Sequence, residues 1–185
     1  EECGMEPGDA IIKINGEEML CEPVKLSAFR AVTDNDRRVR HLWTNQTEDK
    51  GENLNCQFTK VYSVQIKGNK IIAEMSEAGV GRLPFIKYKQ TVSIYKDGRI
   101  SYSLVGSVRD GVLYLPRLGY EFKLYKSDKR FEYFGMGPYE NYVDICHHVR
   151  QDYFKSDSES EYVNYPRPQE HGNHMHTHLL KVENK

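Results

Sequence analysis

Residues 88–108 read YKQTVSIYKDGRISYSLVGSV, and this stretch has the pattern of a β-hairpin. Apolar and polar residues alternate on both sides of Asp97-Gly98, which places successive side chains on opposite faces of a strand. Asp-Gly is one of the pairs that tight antiparallel turns favour, because glycine readily adopts a positive φ. The stretch therefore predicts two antiparallel strands, at 88–95 and 99–108.

The same pattern recurs along the chain. Residues 58–66 alternate, Gly68-Asn69 predicts a turn, and another strand follows from Lys70. Near the N-terminus, Asn15-Gly16 separates two shorter strand patterns. Many antiparallel strands with turn residues between them predict an all-β fold, specifically an antiparallel β-sandwich. Further strands are predicted at 118–125, 130–136 and 175–183.

One short helix is also predicted. Asp34 or Asn35 can cap it by accepting a backbone N–H, and Trp43 would anchor it. Its basic cluster is flanked by acidic residues, which favours a solvated helix face over a phosphate-binding patch. The cluster comprises Arg37, Arg38, Arg40 and His41.

Composition excludes several classes of function. The net charge is −1 at pH 7, so no overall field attracts nucleic acid or anionic lipid. No stretch approaches the roughly 20 apolar residues of a membrane helix. The four cysteines form no CxxC pair, so a structural zinc site is not expected. The sequence starts at Glu1 without a Met or a signal peptide, and we expect it to be an excised fragment.

From Gly137 to Gly172 the pattern indicates a long loop, and its acidic-serine run at 156–161 is predicted to be solvated. Just beyond it, His174, His176 and His178 are predicted to share one face of a strand. Neighbours two apart lie about 6.6 Å apart along a strand and the outer pair about 13 Å. Two of these imidazoles could reach one metal ion but three could not. We therefore favour a polar strand face over a metal site.

Other catalytic patterns are weak. GMGPYE at 135–140 resembles the start of a dinucleotide loop, but Pro138 removes a backbone donor that phosphate binding needs. No cofactor is therefore predicted for this chain. Cys146 lies beside two histidines, yet adjacent residues often point apart. Sequence alone does not place two carboxyl groups at the spacing that a glycosidase requires.

Four segments, in order along the chain, resemble the small-chain region of family 2 beta-galactosidases. They are AFRAVTDND (28–36), LPRLGYEFKL (115–124), FEYFGMGPYENYVD (131–144) and YVNYPRPQEHGNH (162–174). The resemblance covers about residues 10 to 185. It implies a galactose-mutarotase-like supersandwich at 46–185, incomplete at its C-terminal end, preceded by a linking beta segment at 1–45.

The resemblance also implies what this chain lacks. In the family the catalytic glutamates lie in an upstream TIM barrel, so no catalytic residue is carried over. The implied role is a non-catalytic C-terminal portion of a bacterial, cytoplasmic beta-galactosidase. Its expected partners are the barrel and other domains, the beta-galactoside substrate and further subunits, with no nucleic acid or membrane. Mg or Na would belong to the parent enzyme.

The motif residues have two expected roles. Loop architecture is expected for Asp34, Asn35, Asp36, Gly137, Pro138, Glu140, Asn141 and Tyr142. Carbohydrate contact is the alternative for the last motif, through Arg167, Glu170, His171, Asn173 and His174. Two other functions stay open: a stand-alone carbohydrate-binding module, and an aldose 1-epimerase-like enzyme that uses a histidine and a glutamate as acid and base.

Overall fold

The protein is described here by a computed structural model. The described residues are 13–14, 17–44, 51–112, 114–124 and 127–184, and they form an all-β structure of antiparallel sheets. This architecture confirms the predicted fold class. The strands are β1 (Lys13–Ile14), β2 (Glu17–Glu18), β3 (Lys25–Ser27), β4 (Gln57–Lys67), β5 (Lys70–Gly79), β6 (Ile86–Ile94), β7 (Ile100–Val108), β8 (Gly119–Glu121), β9 (Ser127–Gly137), β10 (Arg150–Asp157) and β11 (Leu179–Asn184).

The chain forms two compact units. The first takes the described residues within Glu1–Arg30 and Asp36–Lys123, and the second those within Ala31–Asn35 and Leu124–Lys185. In the first unit, β4, β5, β6 and β7 form one four-stranded sheet in that order. The β6–β7 register runs without a shift from Ile86↔Val108 to Ile94↔Ile100. The hairpin predicted from residues 88–108 is therefore confirmed.

One face of this sheet supplies the core of the first unit. Met75, Tyr88 and Val92 lie on it and are at most 8% exposed. Trp43 is 2% exposed, as its predicted role as an anchor requires. Glu77 is fully buried on the same face, where its carboxylate accepts hydrogen bonds from the hydroxyls of Tyr88 (2.7 Å) and Thr59 (2.9 Å). Burial raises the pKa of Glu77.

The second unit contains the three-stranded sheet β10-β9-β11. β10 lies in the region predicted to be loop, so that prediction is wrong for these eight residues. The strand was missed because it is a charged edge strand whose side chains are mostly exposed, which weakens the period-two hydrophobic signal. The predicted last strand begins four residues late, at Leu179 rather than Met175.

The predicted helix is replaced by two 3₁₀ segments, Asp34–Arg38 and Arg40–Leu42. The backbone forms i→i+3 bonds there, from Val39 N–H to the Asp36 carbonyl for example. The basic residues of the segment are exposed, as predicted. In the parts of the chain that the structure describes, no helix is long and apolar enough to span a membrane.

Candidate functional site

Three of the four motif segments meet in the second unit: 31–35, 138–144 and 168–174. We call this meeting point the loop junction. The Glu170 carboxylate accepts a hydrogen bond from the Ala31 N–H (2.9 Å), and the Glu170 N–H donates to the Val32 carbonyl (3.3 Å). The Gln169 side-chain oxygen accepts from the Asp34 N–H (3.1 Å). Segments more than 130 residues apart in sequence are thus joined largely through backbone groups.

Asn141 lies at the centre of the loop junction and is fully buried. Its amide nitrogen donates to the carbonyls of Met136 and Tyr139, both at 3.0 Å. Its side-chain oxygen accepts from the Met175 N–H at 2.8 Å. Its backbone forms a reciprocal pair with Asn173, at 2.7 Å and 2.6 Å. All side-chain hydrogen-bonding groups of Asn141 are used, which suits a fastening role.

Glu140 fastens the same loops through its carboxylate. One oxygen accepts a short hydrogen bond from the Tyr165 hydroxyl, and the other accepts from the Gly172 N–H at 2.7 Å. Gly172 has φ +72, a conformation that glycine adopts without strain. The Glu140 carbonyl lies 3.1 Å from His148 Nε2. Both oxygens of the Glu140 carboxylate are thus used to hold the loops together.

Three groups lie within hydrogen-bonding distance of the ring nitrogens of His174. Its Nδ1 lies 2.9 Å from the Met136 carbonyl and 3.1 Å from the Tyr133 hydroxyl, and its Nε2 lies 2.8 Å from Glu161 Oε2. The Tyr133 and His174 rings also pack with centroids 4.4 Å apart. Burial, together with the nearby Glu161 charge, raises the pKa of Tyr133 to about 12. The raised pKa keeps the Tyr133 phenol neutral, and so a hydrogen-bond donor, into the alkaline range where an ordinary tyrosine ionises.

Two predictions for this region are wrong. The three histidines do not share a strand face, because His174–His178 precede β11 and His176 has φ 51. Glu161 is not solvated: its side chain is 15% exposed and pairs with His174 and Ser156. Among the described residues no group of three or more potential ligands could hold a metal ion.

A cavity of about 320 Å³ opens beside His174. The lining is mostly apolar, so the cavity suits an apolar side chain or the flat face of a ring better than a charged ligand. Its walls are Phe131, Tyr133, His174, Leu180 and Val182, with Gly172 at one side.

Some predicted contact residues remain available on the surface. Arg167 is exposed and has no hydrogen-bond or ion-pair partner among the residues that the structure describes. His171 meets the Tyr162 ring edge-on, with centroids 4.9 Å apart, and Tyr162 is 60% exposed. By contrast, Glu170, Asn173 and His174 are tied to the loop junction.

The other motif residues serve the scaffold. The Gly137-Pro138 peptide is cis, and the Tyr142 backbone forms an isolated bridge with Ile145. The Asn35 amide makes a short hydrogen bond to the Asp144 carboxylate. In the first unit, Asp36 is buried and receives a two-pronged ion pair from Arg30, at 2.6 and 3.1 Å.

The sequence profile of the beta galactosidase small chain family matches residues 10–185. This chain belongs to that family. The resemblance of the four motifs is therefore confirmed, and three of those motifs form the loop junction of the small chain fold.

Three relatives, each named beta-galactosidase, are similar to this small chain member. The protein from Actinobacillus pleuropneumoniae is 32% identical over 174 residues, which cover 91% of this chain and 17% of the relative. Those from Clostridium acetobutylicum and Streptococcus thermophilus are 27% and 28% identical, covering 82% and 92% of this chain. In both cases the match spans 16% of the relative. The chain thus spans about a sixth of the length of these relatives.

Proposed function

We propose that this chain is the non-catalytic C-terminal portion of a glycoside hydrolase family 2 beta-galactosidase. The parent would hydrolyse terminal beta-D-galactosides with retention, through a covalent glycosyl-enzyme. The observation that carries the proposal is that the family profile matches residues 10–185 while the chain spans only about a sixth of relatives named beta-galactosidase. In such an enzyme this portion would support the catalytic domain and shape the substrate cleft.

The loop junction supports a scaffold role. A retaining glycosidase needs two carboxyl groups about 5–5.5 Å apart, one of them free to attack the sugar. Glu140 and Glu170 are the junction's main carboxylates, and both already accept hydrogen bonds from the backbone of distant loops. A carboxylate that makes these hydrogen bonds is poorly suited to act as a nucleophile, because attack on the sugar would break them and release the loop.

We further propose the organisation of the parent. Residues 1–45 would link to the preceding domain, and 46–185 would form part of a larger supersandwich. A TIM barrel would supply the catalytic residues and hold any Mg or Na. The parent would be a cytoplasmic homo-oligomer.

Carbohydrate contact is proposed for the exposed rim of the loop junction. Arg167 and His171 offer hydrogen-bond donors, and Tyr162 offers a flat ring on which a sugar face could stack. Glu170, Asn173 and His174 would position these residues rather than touch the sugar. In the intact parent, Arg167→Ala and His171→Ala should raise KM for a beta-galactoside several-fold with kcat nearly unchanged. Arg38→Ala, another exposed arginine, is the matched control.

The mass of the native gene product tests the central proposal. An antibody raised against this chain should detect a band well above about 80 kDa in source cells, as several domains of ordinary size require. The purified product should hydrolyse o-nitrophenyl beta-galactoside, and the isolated chain should not. A band near 21.6 kDa would refute the proposal.

That result would favour the two alternative functions, a carbohydrate-binding module and an aldose 1-epimerase-like enzyme. Lactose binding by the isolated chain would then indicate a carbohydrate-binding module. Faster mutarotation of galactose, followed by polarimetry, would indicate an epimerase. His171, His174 and Glu170 are the candidates for that chemistry, and His174 and Glu170 would have to give up hydrogen bonds that they make in this structure.

A further inference from the structure

Two loops of the second unit, 156–162 and 171–174, are joined by an ionisable pair. His174 Nε2 lies 2.8 Å from Glu161 Oε2, and the two side chains are only 9% and 15% exposed. The other carboxylate oxygen of Glu161 accepts a short hydrogen bond from the Ser156 hydroxyl. Water and salt screen such an enclosed pair less than an exposed one. The charge of His174 therefore affects how firmly the two loops hold together.

The ring of His174 has a hydrogen-bond partner in each of its charge states. When both nitrogens carry a proton, Nε2–H donates to Glu161 and Nδ1–H donates to the Met136 carbonyl at 2.9 Å. When Nδ1 has lost its proton it becomes an acceptor, and the Tyr133 hydroxyl at 3.1 Å can donate to it. The Met136 carbonyl then keeps the Asn141 amide as its donor. Both charge states are thus compatible with the same surrounding fold.

Loss of the proton nevertheless weakens the link between the loops. A hydrogen bond in which both groups are charged is stronger than one from a neutral imidazole, and the ion pair with Glu161 exists only while His174 is charged. Histidine ordinarily changes its charge between about pH 5 and 8. Tyr133 remains a protonated donor throughout that range, because burial raises its pKa to about 12.

Other ionisable side chains near these loops are engaged away from the His174 ring. The Asp157 carboxylate accepts hydrogen bonds from two amides of its own turn, at 2.9 Å each. The Glu140 carboxylate accepts its bonds within the loop junction, and His171 packs against the ring of an exposed tyrosine. β11 contributes uncharged side chains to the cavity beside the His174 ring, namely Leu180 and Val182.

We propose that the charge of His174 controls how firmly loop 156–162 is held against loop 171–174. With the imidazole charged, its ion pair to Glu161 keeps the loops closed. With the imidazole neutral, Tyr133 donates to Nδ1, the ion pair is lost, and loop 156–162 opens more often. This control depends on contacts within the second unit and does not rest on the proposed function.

Hydrogen exchange, followed by mass spectrometry on the full-length native gene product, measures the opening of loop 156–162 at pH 6 and pH 8. His174→Gln carries no charge at either pH, and comparing it with the wild type at each pH cancels the intrinsic pH dependence of exchange. Glu161→Gln removes the other charge of the pair. His176→Asn is the matched control, since His176 is exposed in the same segment and asparagine tolerates its positive φ.

The two charge variants should differ from the wild type at the lower pH alone. At pH 6 the Glu161 and Tyr162 amides should exchange about fivefold or more faster in His174→Gln and in Glu161→Gln than in the wild type. At pH 8 the three proteins should agree within about twofold, because the wild-type imidazole is then neutral. His176→Asn should follow the wild type at both pH values.

Tyr133→Phe tests the donor for the neutral ring. Without the hydroxyl the neutral form loses a partner, so the pH at which protection of loop 156–162 falls should rise above that of the wild type. Unchanged exchange of the amides at 150–154 establishes that the sheet is folded, and either charge variant suffices if the other is not. Equal exchange of the wild type and a folded charge variant at pH 6, a difference that persists unchanged at pH 8, or a transition that does not rise in Tyr133→Phe would overturn the proposal.

Discussion

Replacing Asn141 by alanine should destabilise the protein more than replacing any exposed residue of the loop junction. The substitution removes three hydrogen bonds of 2.8–3.0 Å. The Met136 carbonyl retains His174 as a partner, but the Tyr139 carbonyl and the Met175 N–H lose theirs. Leaving a buried backbone group unsatisfied costs about 1–3 kcal/mol. Two such groups predict a loss of about 2–6 kcal/mol, a large part of a typical domain's stability.

Asn173→Ala is the matched control. Asn173 is exposed, and its side chain makes one hydrogen bond, to the Asn141 carbonyl. Its loss leaves one backbone carbonyl, that of the buried Asn141, without this partner and should cost about 1–3 kcal/mol, half the loss predicted for Asn141→Ala. Both substitutions remove the same atoms from the same junction, so their difference measures what the additional hydrogen bonds and the burial of Asn141 contribute together.

Urea unfolding followed by circular dichroism gives the two free energies, after a test for two-state behaviour. Hydrogen exchange adds local resolution, since the Met175 amide should exchange much faster in Asn141→Ala. Trp43, the single tryptophan, lies in the first unit, so its fluorescence spectrum in the native state should not change. Equal losses from the two substitutions, or an Asn141→Ala loss below about 1 kcal/mol, would refute the reasoning about buried partners.

Three further predictions concern the first unit. Because burial raises the pKa of Glu77, the folded chain keeps a proton that the unfolded chain releases above pH 4.5, so this contribution to stability is lost as the pH rises above that value. Urea unfolding at pH 5 and pH 7 should show the wild type losing stability relative to Glu77→Gln. A stability difference between the two proteins that does not change with pH would contradict this. Gly79→Ala should lower the free energy of unfolding by about 3 kcal/mol or more, since a Cβ there meets backbone carbonyl oxygens of the neighbouring loop. Gly119 has open space around it, so Gly119→Ala should change the free energy of unfolding by less than about 1 kcal/mol. Arg30→Lys should cost about 1–3 kcal/mol, because lysine cannot form the paired contacts that the guanidinium makes in the half-buried ion pair with Asp36. Arg99→Lys, in an exposed ion pair, should be nearly neutral. Equal effects of the two substitutions in thermal melts would argue against the role of burial.

The first unit was largely predictable from sequence because its signals are local. The strands around Asp97-Gly98 alternate strongly, and the turn residues fix which strands pair. Local signals were insufficient for β10, whose charged residues match a solvated loop as well as an edge strand. They were also insufficient for residues 34–42, where a cap and a basic run fit either an α-helix or 3₁₀ turns.

The loop junction was predictable only through its motifs. The resemblance identified the three segments, but no local pattern shows that Asn141 would be buried or that Glu170 would reach Ala31. Glu161 was missed because an acidic-serine run is normally solvated, and only the approach of His174 brings this carboxylate inside. Arrangements that depend on contacts between distant segments cannot be read from periodicity.

The loop junction also sets an order of events during synthesis. Its contacts from Ala31 to Glu170 and from Asp34 to Gln169 span 139 and 135 residues. Closing so long a loop has an entropic cost that only the finished contacts offset, and such distant pairings form late. A nascent chain can fold the β4–β7 sheet as it leaves the ribosome, whereas residues 31–35 must wait, with their backbone donors facing water, until 168–174 has been translated. A chain cut short before that point would keep its first sheet and lose the junction, so the junction distinguishes a product that extends past residue 174 from one that stops before residue 168.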